Sequence, residues 1–169
     1  MRGTHTASLR FQGTPSGSGW LLHDDAQVYL PRVRPAFLGM QCGLSIGLAR
    51  ASLQSARARE DAGRSILGND IDVLEASLAR ATDALLAGVD GCAFLDAPRK
   101  LFALRIELVD LATQALQLEV QARGGAGYLN SRHDGLPRRW REAAFLPIVT
   151  PSLVQLRTEL ARAAQRDAA

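Results

Sequence analysis

Apolar residues recur every three or four positions along most of this chain, the spacing that is typical of amphipathic helices. The spacing predicts a first helix over residues 26–60. It also predicts a second helix that Asn69 or Asp70 caps and that Gly88 ends, with an apolar stripe at Leu74, Leu78, Ala81 and Leu85. The chain is therefore expected to be mainly helical.

A third predicted helix is apolar on two sides, which is typical of a helix in the middle of a bundle. Asp96 is its expected N-cap and Pro98 lies in its first turn. Its two stripes are Leu101, Leu104, Leu108, Ala112, Ala115 and Leu118, and Phe102, Ile106, Val109, Leu116 and Val120. A short amphipathic segment over residues 140–145 and a last helix from about Pro151 follow. The prediction is an all-α fold, an up-and-down four-helix bundle over residues 21–169.

Residues 1–20 have a different pattern, which predicts a short N-terminal β-strand and a loop. Residues 8–11 alternate polar and apolar side chains, as a half-buried strand does, and residues 13–19 are rich in Gly, Ser and Pro. A single strand cannot form a sheet. The strand is therefore expected either to pair with a partner chain or to be the remnant of a larger β-domain.

Glycines in the first helix recur every four residues, at Gly39, Gly43 and Gly47, and so share one face. Each internal glycine costs about 0.5–1 kcal/mol relative to alanine. Three on one face predict the close approach of another helix or of a ligand, and tight helix packing is the favoured explanation.

The composition of the chain argues against several classes of protein. The chain is 47% hydrophobic and 5% aromatic, which favours a folded helical domain over a β-sandwich. Its net charge is only +3, and beyond the arginines around Trp140 the sequence has too few basic clusters or aromatic residues for a nucleic-acid-binding surface. Cys42, Cys92 and the three histidines lack ligand spacing, so no metal site is predicted. The longest uncharged stretch, residues 35–49, is too short to span a bilayer, and a cytoplasmic protein without a membrane partner is expected.

A glycine-rich segment directly follows the third helix: Gly124, Gly125 and Gly127, with Gln121 before them and Tyr128 after. One glycine after a helix is a common C-cap. Three within four residues exceed what a cap needs and leave backbone N–H groups accessible to a phosphate. Capping and ligand contact are both open explanations.

This segment resembles the Gln-x-x-Gly-Gly-x-Gly-aromatic motif in the C-terminal domain of the acyl-CoA dehydrogenase family. Other segments match that family in the same order. Residues 1–11 are similar to the last strand of its middle β-domain, and residues 34–63 to the first helix of its C-terminal bundle and the turn after it. Residues 141–143 and 148–157 are similar to its Arg-Asp-Ala sequence and to the start of its last helix. The resemblance covers nearly the whole chain.

The resemblance implies a flavoprotein domain that takes part in FAD-dependent α,β-dehydrogenation of acyl-CoA thioesters, as in fatty acid metabolism. It implies that Arg59 contacts the FAD phosphates and that Gln121, Gly124 and Gly125 line the nucleotide. In that family the bundle also forms the contact between subunits. A homo- or hetero-oligomer and an acyl-CoA-type substrate of the complete assembly are therefore expected, and the remaining arginines are expected on the surface.

The sequence departs from the family at both positions of the catalytic glutamate. Thr150 stands where that glutamate usually lies, and Val33 stands at the alternative position on the first bundle helix. Neither side chain can abstract an α-proton near neutral pH. Ala62 and Asp70 replace a phenylalanine and a glutamine that serve the cofactor. The chain has no segment similar to the family's N-terminal helical domain or to most of its β-domain, so the chain alone is expected to be inactive.

Two alternatives remain open. The same architecture serves flavin-dependent monooxygenases and noncatalytic subunits of mixed oligomers, and the loss of both glutamates favours such a role. A helical assembly module without a cofactor, held together by its glycine face and leucine stripes, is the alternative from another class.

Overall fold

The computed structural model describes residues 7–15, 17–59, 63, 65–129 and 135–168. Of these residues 82% are helical, and none forms a strand. The α-helices are α1 (Ala26–Arg57), α2 (Gly68–Asp90), the short α3 (Ala93–Asp96), α4 (Pro98–Arg123), α5 (Leu136–Phe145) and α6 (Leu153–Asp167). No described helix combines the length and the apolar character that crossing a membrane requires.

Helices α1 and α4 pack side by side and run in the same direction. Near their starts the Arg34 guanidinium lies 4.8 Å from the centre of the Phe102 ring. Near their ends Arg123 Nη2 donates a hydrogen bond of 2.7 Å to Ser55 Oγ. The two long helices therefore finish at the same end of the molecule.

Helices α2 and α6 run in the opposite direction. Helix α2 begins beside the end of α1, where Arg57 contacts Asp72 at 2.5 Å. The last turn of α6 lies beside the first turn of α4, where Asp167 contacts Arg99 at 2.5 Å. The four long helices therefore alternate in direction along the chain.

The hydrophobic core centres on α4, which contacts every other α-helix. Both apolar stripes of α4 contribute buried side chains to the core: Leu101, Phe102, Leu108, Val109, Ala112, Ala115, Leu116 and Leu118. Leu104, Ile106 and Val120 are partly buried against it. The prediction that the helix with two apolar sides lies in the middle is confirmed.

Several predicted helix ends are displaced. Helix α2 begins at Gly68, so Asp70 lies in its first turn instead of capping it, and the helix continues through Gly88 to Asp90. The N-cap position of α4 is Ala97, which provides no side-chain hydrogen bond. Helix α6 starts at a capping box in which Ser152 and Gln155 exchange hydrogen bonds.

The predicted β-strand does not form within the described residues. Residues 8–11 have no regular secondary structure, and the Leu9 and Phe11 side chains are each 77% exposed. No described segment offers them a second strand, and a strand without a partner leaves its backbone hydrogen bonds to water. Residues 1–6 of the predicted N-terminal remnant lie outside the described part of the chain.

The glycine face of α1 is open within the described chain. A Cβ atom built on Gly39, Gly43 or Gly47 meets no neighbouring atom within 4 Å. The expected packing of another helix on this face does not occur inside the described part of the molecule. Around the glycines the large side chains of Phe37, Met40 and Leu44 are 48%, 69% and 54% exposed.

Gly88 is required by packing, which yields a first prediction. A Cβ atom at this position would lie 2.2 Å from Cζ of Phe94, whose side chain is buried. We expect Gly88→Ala to lower the free energy of unfolding by about 1–3 kcal/mol in urea titrations, because the ring must move. Gly43→Ala is the matched control and is expected to raise stability by about 0.5–1 kcal/mol. Equal stability of the two variants would contradict the prediction.

Candidate functional site

The common end of α1 and α4 brings together residues that are far apart in the sequence. Arg59 follows the end of α1, and its Nη1 donates a hydrogen bond of 3.1 Å to the Ser55 carbonyl oxygen. Ser55 Oγ accepts a hydrogen bond from Arg123, the last residue of α4. Arg59 and the start of the glycine-rich segment therefore occupy the same end of the molecule.

A buried carboxylate organises this end. Glu119 is 0% exposed and accepts hydrogen bonds of 2.8 Å from Arg123 Nε and from Arg139 Nε. Arg139 donates a second, short bond from Nη2 to Glu119 Oε1. We call Ser55, Glu119, Arg123 and Arg139 the Glu119 cluster. It joins α4 and α5 through hydrogen bonds between charged groups, and it reaches α1 through the neutral Ser55 hydroxyl.

The ionisation of the cluster follows from its surroundings. Burial raises the pKa of Glu119, but hydrogen bonds from Arg139 and Ser55 and the charges of Arg139 and Arg123 outweigh it, so the pKa lies below its ordinary value. Burial lowers the pKa of the Arg123 guanidinium, while Glu119 raises it and Arg59 lowers it. The Arg59 guanidinium is therefore close enough to Arg123 for the two like charges to interact.

The three glycines after α4 have different structural roles. Gly124 has a φ of +55°, a conformation that L side chains rarely adopt, and it ends the helix. A Cβ atom on Gly127 would lie 2.9 Å from Cδ2 of Leu136 in α5. Gly125 has no atom within 4 Å of such a Cβ and is exposed. The backbone conformation at Gly124 and the close packing at Gly127 explain why glycine occupies these positions. Neither reason applies to Gly125.

A groove of about 700 Å³ lies between the glycine-rich segment and α5. Its wall is partly aromatic, with Tyr128 83% and Trp140 46% exposed. Arg138 and Arg141 contribute positive charge. The other lining residues are Val120, Gly124, Gly127, Leu129, Gly135, Leu136 and Pro137. A groove of this size and composition can hold part of a nucleotide.

The remaining predicted site residues lie elsewhere. Gln121 is exposed in the last turn of α4 and is not among the groove residues. Thr150 is exposed, and its carbonyl oxygen accepts a hydrogen bond of 2.7 Å from Gln41 Nε2 in the middle of α1. Val33 lies about 12 Å further toward the start of α1. Asp70 is exposed in α2, and Ala62 lies outside the described residues.

A second buried arginine lies under the segment that carries Thr150. Arg105 is 0% exposed and donates hydrogen bonds to Gln41 Oε1 (3.4 Å), Ser45 Oγ (3.3 Å) and the Leu146 carbonyl oxygen (3.0 Å). It forms no ion pair with a described acid. Burial lowers its pKa, and burial raises the pKa of the neighbouring Cys42 thiol to about 11. Arg105 therefore ties this segment to the interior of the molecule.

The expectation that the arginines other than Arg59 lie on the surface is wrong for Arg105 and Arg123, which are 0% and 6% exposed. The spacing of Glu119 and Arg123, four residues apart in a helix with two apolar sides, is the sequence signal that could have indicated a buried pair. No comparable signal links Arg139 to Glu119, because their contact spans two helices.

Comparison of this chain with profiles of known protein families, with curated proteins and with solved structures finds no match. The function of the chain is therefore inferred from its sequence motifs and from the geometry of the described residues.

Proposed function

We propose that this chain is the C-terminal helical domain of an acyl-CoA dehydrogenase-like flavoprotein and that it binds the diphosphate of FAD at the common end of α1 and α4. The observation that carries the proposal is the convergence of Arg59 with Gly124 and Gly125 at that end. The alternating directions of the four long helices support an up-and-down four-helix bundle. In the complete protein, FAD would accept the hydride that leaves the acyl thioester.

The charge of the proposed binding end suits a diphosphate. Arg59, Arg123 and Arg139 bring three guanidinium groups to this end, and a diphosphate diester carries two negative charges. Guanidinium groups bind phosphate oxygens in a forked geometry. The open backbone at Gly125 lets a phosphate approach the main chain without meeting a Cβ atom.

The adjacent groove suits the rest of a nucleotide. Tyr128 and Trp140 present exposed aromatic surface on which an adenine ring can stack. Since the groove borders Gly124, the diphosphate and the base would occupy neighbouring parts of one surface. Gln121 is proposed to contact the same nucleotide from the last turn of α4.

The chain is proposed to lack catalytic activity of its own. Thr150 and Val33 stand at the two positions of the family's catalytic base and carry no carboxylate. In the assembled protein, either a base from another residue or chain removes the α-proton, or this chain is a noncatalytic subunit. The exposed apolar face of α1 around Phe37, Met40 and Leu44 supports a partner, because large apolar patches are typical of interfaces. We propose that other domains or subunits of a homo- or hetero-oligomer cover this face.

The proposal is tested by reconstitution. The chain is co-expressed with a polypeptide that carries the N-terminal and middle domains of an acyl-CoA dehydrogenase, and flavin absorbance is measured in the purified complex. We expect Arg59→Gln to weaken FAD binding by about tenfold or more, because a charge-assisted phosphate contact is lost. Arg80→Gln is the matched control, since Arg80 is exposed on α2 and pairs only with Glu107 among the described acids.

Two results would contradict the proposal. One is that no pairing retains flavin although the chain itself is folded by circular dichroism. The other is that Arg59→Gln and Arg80→Gln retain flavin equally well.

A further inference from the structure

The opposite end of the molecule contains a second basic cavity, of about 350 Å³. It lies between the first part of α1, the first turn of α4 and the last turns of α6. Its distance from Glu119 is about 27 Å along α4, measured from Leu101. The cavity is therefore separate from the proposed FAD site.

Four arginines line this cavity: Arg34, Arg99, Arg162 and Arg166. Arg34 forms a forked pair with Glu159, at 3.0 and 2.5 Å, and Arg99 pairs with Asp167. Arg162 and Arg166 stand four residues apart on α6. Neither forms an ion pair with a described acid. Among the described residues, these four positive and two negative charges leave an excess of two.

Arg162 and Arg166 lie in the last turns of α6, near the negative C-terminal end of its helix dipole. Like charges four residues apart on a helix nevertheless repel each other. Both residues line the cavity that Arg34 and Arg99 also line. A dianion in the cavity would relieve the repulsion between Arg162 and Arg166, neither of which pairs with a described carboxylate.

The floor of the cavity is apolar. Pro31, Pro35 and Pro98 give it exposed or half-buried apolar surface, and the buried Leu101, Phe102 and Ala163 complete this part of the lining. The Arg34 guanidinium is fixed over the Phe102 ring at 4.8 Å and by its pair with Glu159. A ligand can therefore place an apolar group on this floor and an anionic group among the arginines.

We propose that this cavity binds the phosphate monoester of a small apolar group. A phosphate monoester carries close to two negative charges, which matches the excess of the site, and guanidinium forks fit phosphate oxygens. The cavity volume is at the lower end of the range for small-molecule sites, roughly 300–1,000 Å³. It therefore suits a small ester and not a dinucleotide.

Phenyl phosphate is the probe, titrated at constant ionic strength and about pH 8, where its phosphate is fully ionised. Amide chemical shifts of the ¹⁵N-labelled full chain report where it binds. We expect saturable shifts in the first turn of α4 and the last two turns of α6. The double variant Arg162→Gln, Arg166→Gln is expected to bind about tenfold or more weakly.

The control double variant is Arg50→Gln, Arg80→Gln, which removes the same charge from exposed positions on other faces and is expected to leave the affinity within about twofold. The proposal is overturned if phenyl phosphate causes no saturable shift, if both double variants lose affinity equally, or if the shifts occur only around Glu119. Equal affinity for benzenesulfonate, which carries one negative charge, would overturn the assignment to a phosphate. No arm of the experiment involves FAD, so its failure is distinct from failure of the proposed function.

Discussion

Glu119→Gln is expected to lower the free energy of unfolding by about 3–5 kcal/mol. Glutamine keeps the size of the side chain and an acceptor oxygen but removes the charge. Arg123, which is 6% exposed, and Arg139 would then be held around a neutral group in the interior. An uncompensated buried guanidinium costs much more than an exposed one, because water cannot solvate it. Urea denaturation followed by circular dichroism measures the loss.

The same variant predicts a pH dependence. The pKa of Glu119 in the folded protein lies below its ordinary value, which is about 4.3. Its stabilisation is therefore complete above about pH 4.3 and is lost as the pH falls through the lower, folded-state pKa. The difference in unfolding free energy between the natural chain and Glu119→Gln should be constant near neutral pH and shrink in acid.

Glu142→Gln is the matched control, because Glu142 pairs at 2.6 Å with the exposed Arg138 on α5. It is expected to change stability little, since exposed pairs on one helix contribute little. A Glu119→Gln variant as stable as Glu142→Gln would contradict the role of the cluster. So would a stability difference that persists unchanged to low pH.

Arg105→Ala is expected to cost about 3–5 kcal/mol of unfolding free energy. The substitution leaves a cavity in the core and removes the donor from Gln41 Oε1, Ser45 Oγ and the Leu146 carbonyl oxygen. In Arg105→Met, the methionine side chain fills much of the cavity that alanine would leave. The substitution also removes the buried charge of Arg105, which has no described counterion. It is therefore expected to cost less, about 1–3 kcal/mol, chiefly from the acceptors that lose their donor.

The comparison of the two substitutions separates packing from hydrogen bonding. Arg80→Ala, at an exposed position on α2, is the control and is expected to change stability by less than about 0.5 kcal/mol. Hydrogen exchange at the amides of Leu146, Ile148, Val149 and Thr150 adds a local measurement, because this segment is tied to the interior through Arg105 and Gln41. Unchanged exchange in Arg105→Ala would show that the arginine does not hold the segment.

Helical periodicity predicts the long helices of this fold, because their apolar stripes repeat over several turns. The double stripe of α4 indicated its central position because side chains on both faces must be covered. Helix ends were less predictable. Asp70 is a good capping residue, but α2 already begins at Gly68, directly after a 3-10 turn over Ser65–Leu67 whose last residue, Leu67, packs against the core.

The polar interior was beyond prediction from the pattern alone. An arginine within an apolar stripe is ordinarily assigned to the surface, and Arg105 is buried because Gln41 and Ser45 on α1 happen to face it. Arg59 and the glycine-rich segment could be named from motifs. Their connection through Ser55 and Glu119 depends on the parallel course of α1 and α4, which no local pattern encodes.

That parallel course has an electrostatic consequence. Each α-helix carries about half a negative charge at its C-terminal end, and α1 and α4 place these ends side by side, where they repel. Arg57 and Arg123 occupy the two last turns, Arg59 follows closely, and the positive N-terminal end of α2 offsets only one of the two helix ends. Part of the positive charge at this end therefore balances the two helix dipoles. Any anion that binds here experiences a weaker field than the count of arginines suggests, and its affinity must come mainly from direct contacts with guanidinium and backbone N–H groups.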